Sequence, residues 1–242
     1  MPSAAATESF SAATKEYAFD AVLLDFDGTI LDTTPAVVKF WHSIASELGI
    51  DPETVLATSH GRRTLDTLAL YDTSKANWDY VSSIEARIPR EFSTNSDVSE
   101  VPGSRELLTA LQKAGARWGI VTSGTRALIS GWVDRLGLVR PSMLIAAEDV
   151  HVGKPDPQGY LLGRKQLGLR GDESSVLVIE DAPAGIRAGK AAGFKVLAVK
   201  TSHSVEQLRA AGPDWIVEDL RSVSVRGVES GLVKVEITAA FM

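Results

Sequence analysis

"VLLDFDGTILDTTP", Val22 to Pro35, starts as a buried β-strand and then sets two aspartates, Asp25 and Asp27, on either side of a phenylalanine. A glycine and a threonine follow directly. Desolvation penalises charge at the end of a buried strand, so two carboxylates there need a reason. Residues two apart in a strand point the same way. Asp25 and Asp27 are therefore expected to project together, with Phe26 on the opposite side. Gly28 permits the tight turn that would bring backbone N–H groups towards whatever the carboxylates hold.

Further short β-type apolar runs occur at "RWGIVT", "SMLIAA", "SVLVIE", "FKVLAV" and "WIV". Segments of helical character lie between most of them, such as "GSRELLTALQKAG", "TRALISGWVDRLG", "PQGYLLGRKQLG" and "PAGIRAGKAAG", each closing near a glycine. This alternation predicts an α/β fold: a Rossmann-like parallel sheet with helices on both faces. Ligands of such sheets gather beyond the carboxyl ends of the strands.

The alternation lapses once, from Thr33 to Val98, where no strand is convincing. Thr34-Pro35 reads as a helix N-cap followed by proline at the first helical position. Val37, Trp41, Ile44 and Leu48 then share one helical face. The expected organisation is a flexible tail over 1–17, a core over 18–32 and 99–242, and a helical insertion over 33–98 covering the carboxyl edge of the sheet. The final "VSVRGVESGLVKVEIT" reads as a hairpin turned near Ser230-Gly231.

Composition narrows the function classes. The formal net charge of −6 offers no basic field for nucleic acid or an anionic membrane. Absence of cysteine excludes disulfides, thiolate catalysis and zinc–thiolate sites. No apolar run approaches the roughly 20 residues of a membrane helix. The leading segment lacks the apolar block of a secretion signal, so cytoplasm is the default expectation, and a monomer is expected.

A second acidic pair, Glu180 and Asp181, ends another predicted strand in "VLVIEDAPAGI". Parallel strands would bring both pairs to one edge, where four carboxylates would repel without a counter-cation. Oxygen-only donors with no histidine in the set favour a hard metal, Mg²⁺. "WGIVTSGTR" puts Thr122 and Ser123 at a strand end before a helix, where a hydroxyl and free N–H groups can bind phosphoryl oxygen. "VGKPDP" puts Lys154 in a loop fixed by two prolines, opposite that charge. Each of these motifs alone suits a structural role; four in order at successive strand ends form a specific pattern.

"DFDGT", "VTSG", "GKPDP" and "EDAPAG" together resemble the four motifs of the haloacid dehalogenase-like (HAD) superfamily of phosphohydrolases, and the insertion is similar to its helical C1-type cap. The fungal branch with glycerol-phosphate phosphatases and 2-deoxyglucose-6-phosphate phosphatases is the nearest in pattern, through "SHGRRTLDTL", "VTSGTR", "GKPDPQGY" and "EDAPAGIRAGKAAG". "VTSGTR" leans to the first group, while "GKPDPQGY" and the hairpin lean to the second, so the substrate stays open between a small polyol and a sugar monophosphate. The resemblance implies Asp25 as nucleophile and Asp27 as general acid and base. It implies Mg²⁺ held by Asp25, the Asp27 carbonyl and Asp181, with Glu180 supporting them. Thr122, Ser123 and Lys154 would hold the phosphoryl group. From the "HGxRT" arrangement, Arg63 and then His60 would face the substrate, and Arg62 would be solvated. A phosphosugar mutase would share all four motifs and differ by yielding an isomerised phosphate. A catalytically silent binding protein would need a broken motif, and none is broken.

Overall fold

The computed structural model describes residues 14–59, 62–94, 96–169 and 175–238. Its centre is a parallel sheet of six strands in the order β6-β5-β2-β7-β8-β9. These are β2 (Ala21–Leu24), β5 (Trp118–Val121), β6 (Leu144–Ile145), β7 (Val176–Glu180), β8 (Lys195–Val199) and β9 (Trp215–Val217). Apart from Lys195 and Leu144, every residue of these strands is buried, as a sheet covered on both faces requires.

The period-2 alternation of side chains divides the core. Val22, Leu24, Leu177, Ile179, Leu197 and Val199 face one apolar cluster, which takes in α6 (Ser104–Lys113) and α7 (Arg126–Leu136). Leu23, Val176, Val178, Val196 and Ala198 face a second, closed by α8 (Gln158–Gln166), α9 (Pro183–Ala191) and α10 (Val205–Ala210). The helix α10 was not foreseen, although Ser204 and Gln207 form a capping box at its start.

The sheet is flanked by a smaller antiparallel one, β1-β11-β10, made by β1 (Lys15–Phe19), β10 (Val223–Glu229) and β11 (Leu232–Ile237). The expected hairpin is there, with positive φ at both Ser230 (51°) and Gly231 (79°), the turn that suits twisted strands. Its partner β1 corrects the expected tail: Lys15, Glu16 and Tyr17 are strand, paired with Ile237, Glu236 and Val235. The polar pattern concealed this, because Lys15 and Glu16 are exposed and what anchors the strand is distant in sequence. Tyr17 packs edge-on against Trp215 at 4.7 Å and accepts its indole N–H at 3.2 Å. The remainder of the tail, 1–13, lies outside the described residues.

Between β3 (Leu31–Asp32) and β4 (Ser99–Glu100), which pair antiparallel, the described residues form five helices. They are α1 (Thr34–Leu48), α2 (Pro52–Ser59), α3 (Thr64–Tyr71), α4 (Trp78–Glu85) and α5 (Ile88–Glu91). The predicted face of α1 is the one used: Trp41 and Ile44 are buried, and Val37 and Leu48 pack against them. The N-cap is Thr33 rather than Thr34, and it makes no side-chain cap. Its hydroxyl donates instead to Asp27 at 2.8 Å, and Asp32 accepts the Thr34 N–H at 3.1 Å. Among the described residues no helix is long and apolar enough to cross a membrane.

Candidate active site

The strand order turns around β2: β5 lies on one side and β7 on the other, which is where open α/β sheets bind ligands. Asp25 follows β2 and stays in register, its N–H donating to Ile179 O at 2.9 Å. Phe26 turns into the core, fully buried, as the strand geometry predicts. Asp25 and Asp27 line one cavity of about 130 Å³ together with Thr122, Ser123, Lys154, Glu180 and Asp181. Seven of the sequence-derived site residues thus meet in one space.

Lys154 is the hub of the charges. Its Nζ donates to Asp25 Oδ1 at 2.5 Å, to Glu180 Oε1 at 2.6 Å and to Val121 O at 3.0 Å. Burial alone would push the ammonium pKa down, but the Asp25 and Glu180 carboxylates outweigh it and the pKa is raised. Tyr160 adds a further donor to Glu180 Oε1 at 2.7 Å, and the N–H groups of Asp181 and Ala182 donate to Oε2. Glu180 is therefore saturated from within the fold.

Asp181 is not. Its oxygens accept from Ser202 Oγ and, at 3.5 Å, from Thr29 Oγ1. Burial and the neighbouring Glu180 push its carboxyl up to about 7. Asp25 is raised as well, by burial first and by Glu180 and Asp181 after the opposing pull of Lys154. Asp25, Glu180 and Asp181 offer ligand oxygens all within 4.8 Å of one another. One ammonium for three buried carboxylates leaves the cluster short of positive charge, and the donors are oxygen throughout. A hard divalent cation fits that need. Gly28 lets the chain pass close: with φ of 85°, a Cβ there would lie 2.1 Å from Asp181 Oδ2, so any side chain would displace the carboxylate.

Asp27 sits apart from the cluster and bonds Thr33. Burial raises its pKa, more than the Thr33 hydroxyl and Lys154 lower it. Across the cavity, Thr122 Oγ1 accepts the Gly124 N–H at 3.0 Å and the Thr122 N–H donates to Ile145 O, which fixes the turn that enters α7.

The substrate-facing assignments change. Arg63 is 5% exposed and does not line the cavity. Its guanidinium is engaged by Asp66 and by the carbonyls of Val150 and His151. Arg62, expected to be merely solvated, is exposed and lines the cavity beside Ser59, Thr64 and Trp41. The two arginines part where a turn closed by the Arg62 N–H on Ser59 O gives way to the extended N-cap Arg63, and sequence spacing alone could not say which faced the cavity. His60 lies outside the described residues. Glu85 and Tyr160 were not anticipated. Glu85 ends α4, where a carboxylate reads as solvent-facing, yet it is 3% exposed, lines the cavity, and accepts the Thr125 N–H at 2.7 Å. Burial, against the hydrogen bonds from Thr64 and Thr125, lifts it to about 7.

A family model described as haloacid dehalogenase-like hydrolase matches residues 19–193. Glycerol-1-phosphate phosphohydrolase 2 of Saccharomyces cerevisiae is 41% identical over 224 residues, 90% of this chain and 89% of that protein. The yeast 2-deoxyglucose-6-phosphate phosphatase 1 is 36% identical over 234 residues, 90% of this chain and 95% of that protein. A crystal structure of a hydrolase from Pseudomonas syringae shares the fold, with a TM-score of 0.69, 24% identity, and coverage of 83% of this chain and 94% of that one.

Proposed function

The chain belongs to the haloacid dehalogenase-like hydrolases, and from that premise we propose that it is a Mg²⁺-dependent phosphatase of a small polyol or sugar monophosphate, working through an aspartyl-phosphate. The observation that carries this is that two aspartates with different partners line one cavity. Asp25 is bonded by Lys154 and grouped with Glu180 and Asp181, while Asp27 is outside that group and accepts the Thr33 hydroxyl.

Asp25 Oδ attacks phosphorus, forming the acyl-phosphate bond as the ester P–O bond breaks. Asp27, whose raised pKa favours its acid form, delivers a proton to the departing alkoxide. It then takes a proton from the water that cleaves the aspartyl-phosphate, restoring both carboxyls. Lys154 and the Thr122 turn stabilise the phosphoryl oxygens as charge shifts onto them. Asp25, the Asp27 carbonyl and Asp181 would hold Mg²⁺, with Glu180 supporting Lys154, and the ion would supply charge neutralisation for the phosphoryl group. Residues 33–98 act as a cap over the core formed by 15–32 and 99–242, and they supply the alcohol side of the cavity. Val37, Phe40, Trp41 and Ile88 make an apolar wall, with Ser59, Arg62 and Thr64 as polar points.

The deciding experiment is phosphate release from a panel of small monophosphates, glycerol phosphates and hexose 6-phosphates included, with and without Mg²⁺. Chelation with EDTA should abolish release and Mg²⁺ restore it, while Ca²⁺, with looser coordination, should fail to restore it. Mg²⁺ should also raise the Tm of the chelated protein by relieving carboxylate repulsion. Full turnover after rigorous chelation would rule the metal out.

Arg62 gives a second expectation. A charge-assisted hydrogen bond to a substrate hydroxyl is worth about 1.5–3 kcal/mol when well made, and Arg62 is exposed. Arg62→Ala should therefore lower kcat/KM about 10-fold for the best natural-type substrate, and less for p-nitrophenyl phosphate, whose leaving group needs no hydroxyl recognition. Equal losses on both would remove Arg62 from the alcohol site.

A further inference from the structure

The phosphate side of the cavity rests on two loops, and each is gripped by a buried side chain from the helical segment. Arg63, just before α3, crosses to the loop that leads into Lys154. Its Nη1 donates to Val150 O at 2.8 Å and its Nη2 to His151 O at 3.2 Å, while Asp66 holds Nε and Nη2 at 2.7 Å each. The loop passes so near that a Cβ on Gly153 would stand 2.9 Å from Arg63 Nε. On the far side the ring of Trp78 covers the guanidinium at 5.7 Å. Glu85, the last residue of α4, holds the other loop. Its Oε2 accepts the N–H of Thr125, which is the N-cap of α7 and the next residue after the Thr122–Gly124 turn.

We propose that Arg63 and Glu85 are positioning residues that tie the helical segment to the Lys154 and Thr122 loops, so that the phosphate site reaches its binding geometry only with that segment seated. This rests on the phosphatase reading of the cavity. Three features distinguish it from simple packing. Both side chains are polar and ionisable, and buried where apolar residues would cost less. Besides a side-chain partner of its own, Asp66 for Arg63 and Thr64 for Glu85, each reaches across to backbone groups of a loop from the other segment. The backbone groups they hold lie one to four positions from residues of the phosphate site, Thr125 from Gly124 and Val150 and His151 from Lys154. The guanidinium is planar and spans two carbonyls; an ammonium cannot reproduce that fork.

The test is the affinity of the Mg²⁺-supplemented protein for inorganic phosphate by titration calorimetry, beside kcat/KM for glycerol 3-phosphate and p-nitrophenyl phosphate. Arg63→Ala and Glu85→Ala should each weaken phosphate binding about 10-fold, the scale of one hydrogen bond to a charged group. They should lower kcat/KM by one common factor on both substrates, because the lost element serves the phosphate and not the alcohol. Glu85→Gln retains an acceptor for Thr125 and should stay within about 3-fold of wild type. Arg63→Lys should fall between wild type and Arg63→Ala. Phosphate affinity unchanged in both alanine variants would overturn the proposal, as would a loss confined to glycerol 3-phosphate, which would make them alcohol contacts. If an alanine variant does not fold, the paired order of Glu85→Gln above Arg63→Lys in phosphate affinity decides, and equality of both with wild type overturns it. Phosphate binding needs no turnover. A wild type that binds phosphate but hydrolyses no monoester would refute the phosphatase reading and still let these affinities judge the tie.

Discussion

Asp25→Asn should abolish turnover, by about 10⁴- to 10⁶-fold, the range seen when an enzyme loses a covalent nucleophile, and leave a folded protein. The carboxamide has nearly the same shape but no lone pair basic enough to displace an alkoxide from phosphorus. The fold should survive because Lys154 keeps Glu180 Oε1 and Val121 O as acceptors, and Glu180 keeps Tyr160 and two backbone donors. Removing the buried Asp25 carboxylate also ends its repulsion with Glu180 and Asp181. Circular dichroism and a thermal melt establish folding, and an acid-stable phosphate assay measures release. Near-normal release by the folded variant would eliminate the covalent mechanism. A second readout sharpens it: rapid quench of the wild type should trap an acid-stable, hydroxylamine-labile phosphate on the protein, and the variant should trap none.

The parts of this site that could be read from sequence are those fixed by local backbone geometry. Asp25, Asp27 and Phe26 follow from the two-residue period of a strand, and Thr122, Lys154 and Glu180-Asp181 follow from their places after strands that had to be parallel. The helical face of Trp41 and Ile44 follows from a period of 3.6. What failed depended on contacts between segments far apart in the chain. β1 exists because Phe19 and Tyr17 find Val233, Val235 and Trp215, about two hundred positions on, and its own five residues carry no signal strong enough to declare it. Arg62 and Arg63 are neighbours of one type, and only the docking of α3 against the 150–153 loop decides which is buried. Glu85 shows the same limit from the other side. A carboxylate at a helix end reads as solvated until the amide of Thr125 is found beside it. Thr33 adds a smaller case: it stands at the N-cap, but Asp27 takes its hydroxyl, and that bond displaces the local preference for capping.

Asp27→Asn should be the more discriminating variant, because its loss depends on the leaving group. An alkoxide leaving glycerol or a hexose is a strong base and needs its proton as the P–O bond breaks; p-nitrophenolate leaves without one. General acid catalysis contributes about 10²- to 10⁴-fold, so Asp27→Asn should lower kcat/KM for alkyl phosphates by that much. The loss in the rate of Asp25 phosphorylation with p-nitrophenyl phosphate should be several-fold smaller. The pH profile gives the sign. Asp27 must carry its proton to act as acid, and burial raises its pKa above the ordinary carboxyl value, so the acid form persists to higher pH than for a solvated aspartate and is lost as pH rises through that pKa. Wild-type kcat/KM for alkyl phosphates should fall on the alkaline side, and that limb should disappear in Asp27→Asn. Thr33→Val removes the hydroxyl that favours the ionised form, so it should move the limb to higher pH with the Asp27 carboxyl still in place. Equal losses on alkyl and aryl phosphates, or an alkaline limb that neither substitution moves, would take the proton-donor role away from Asp27.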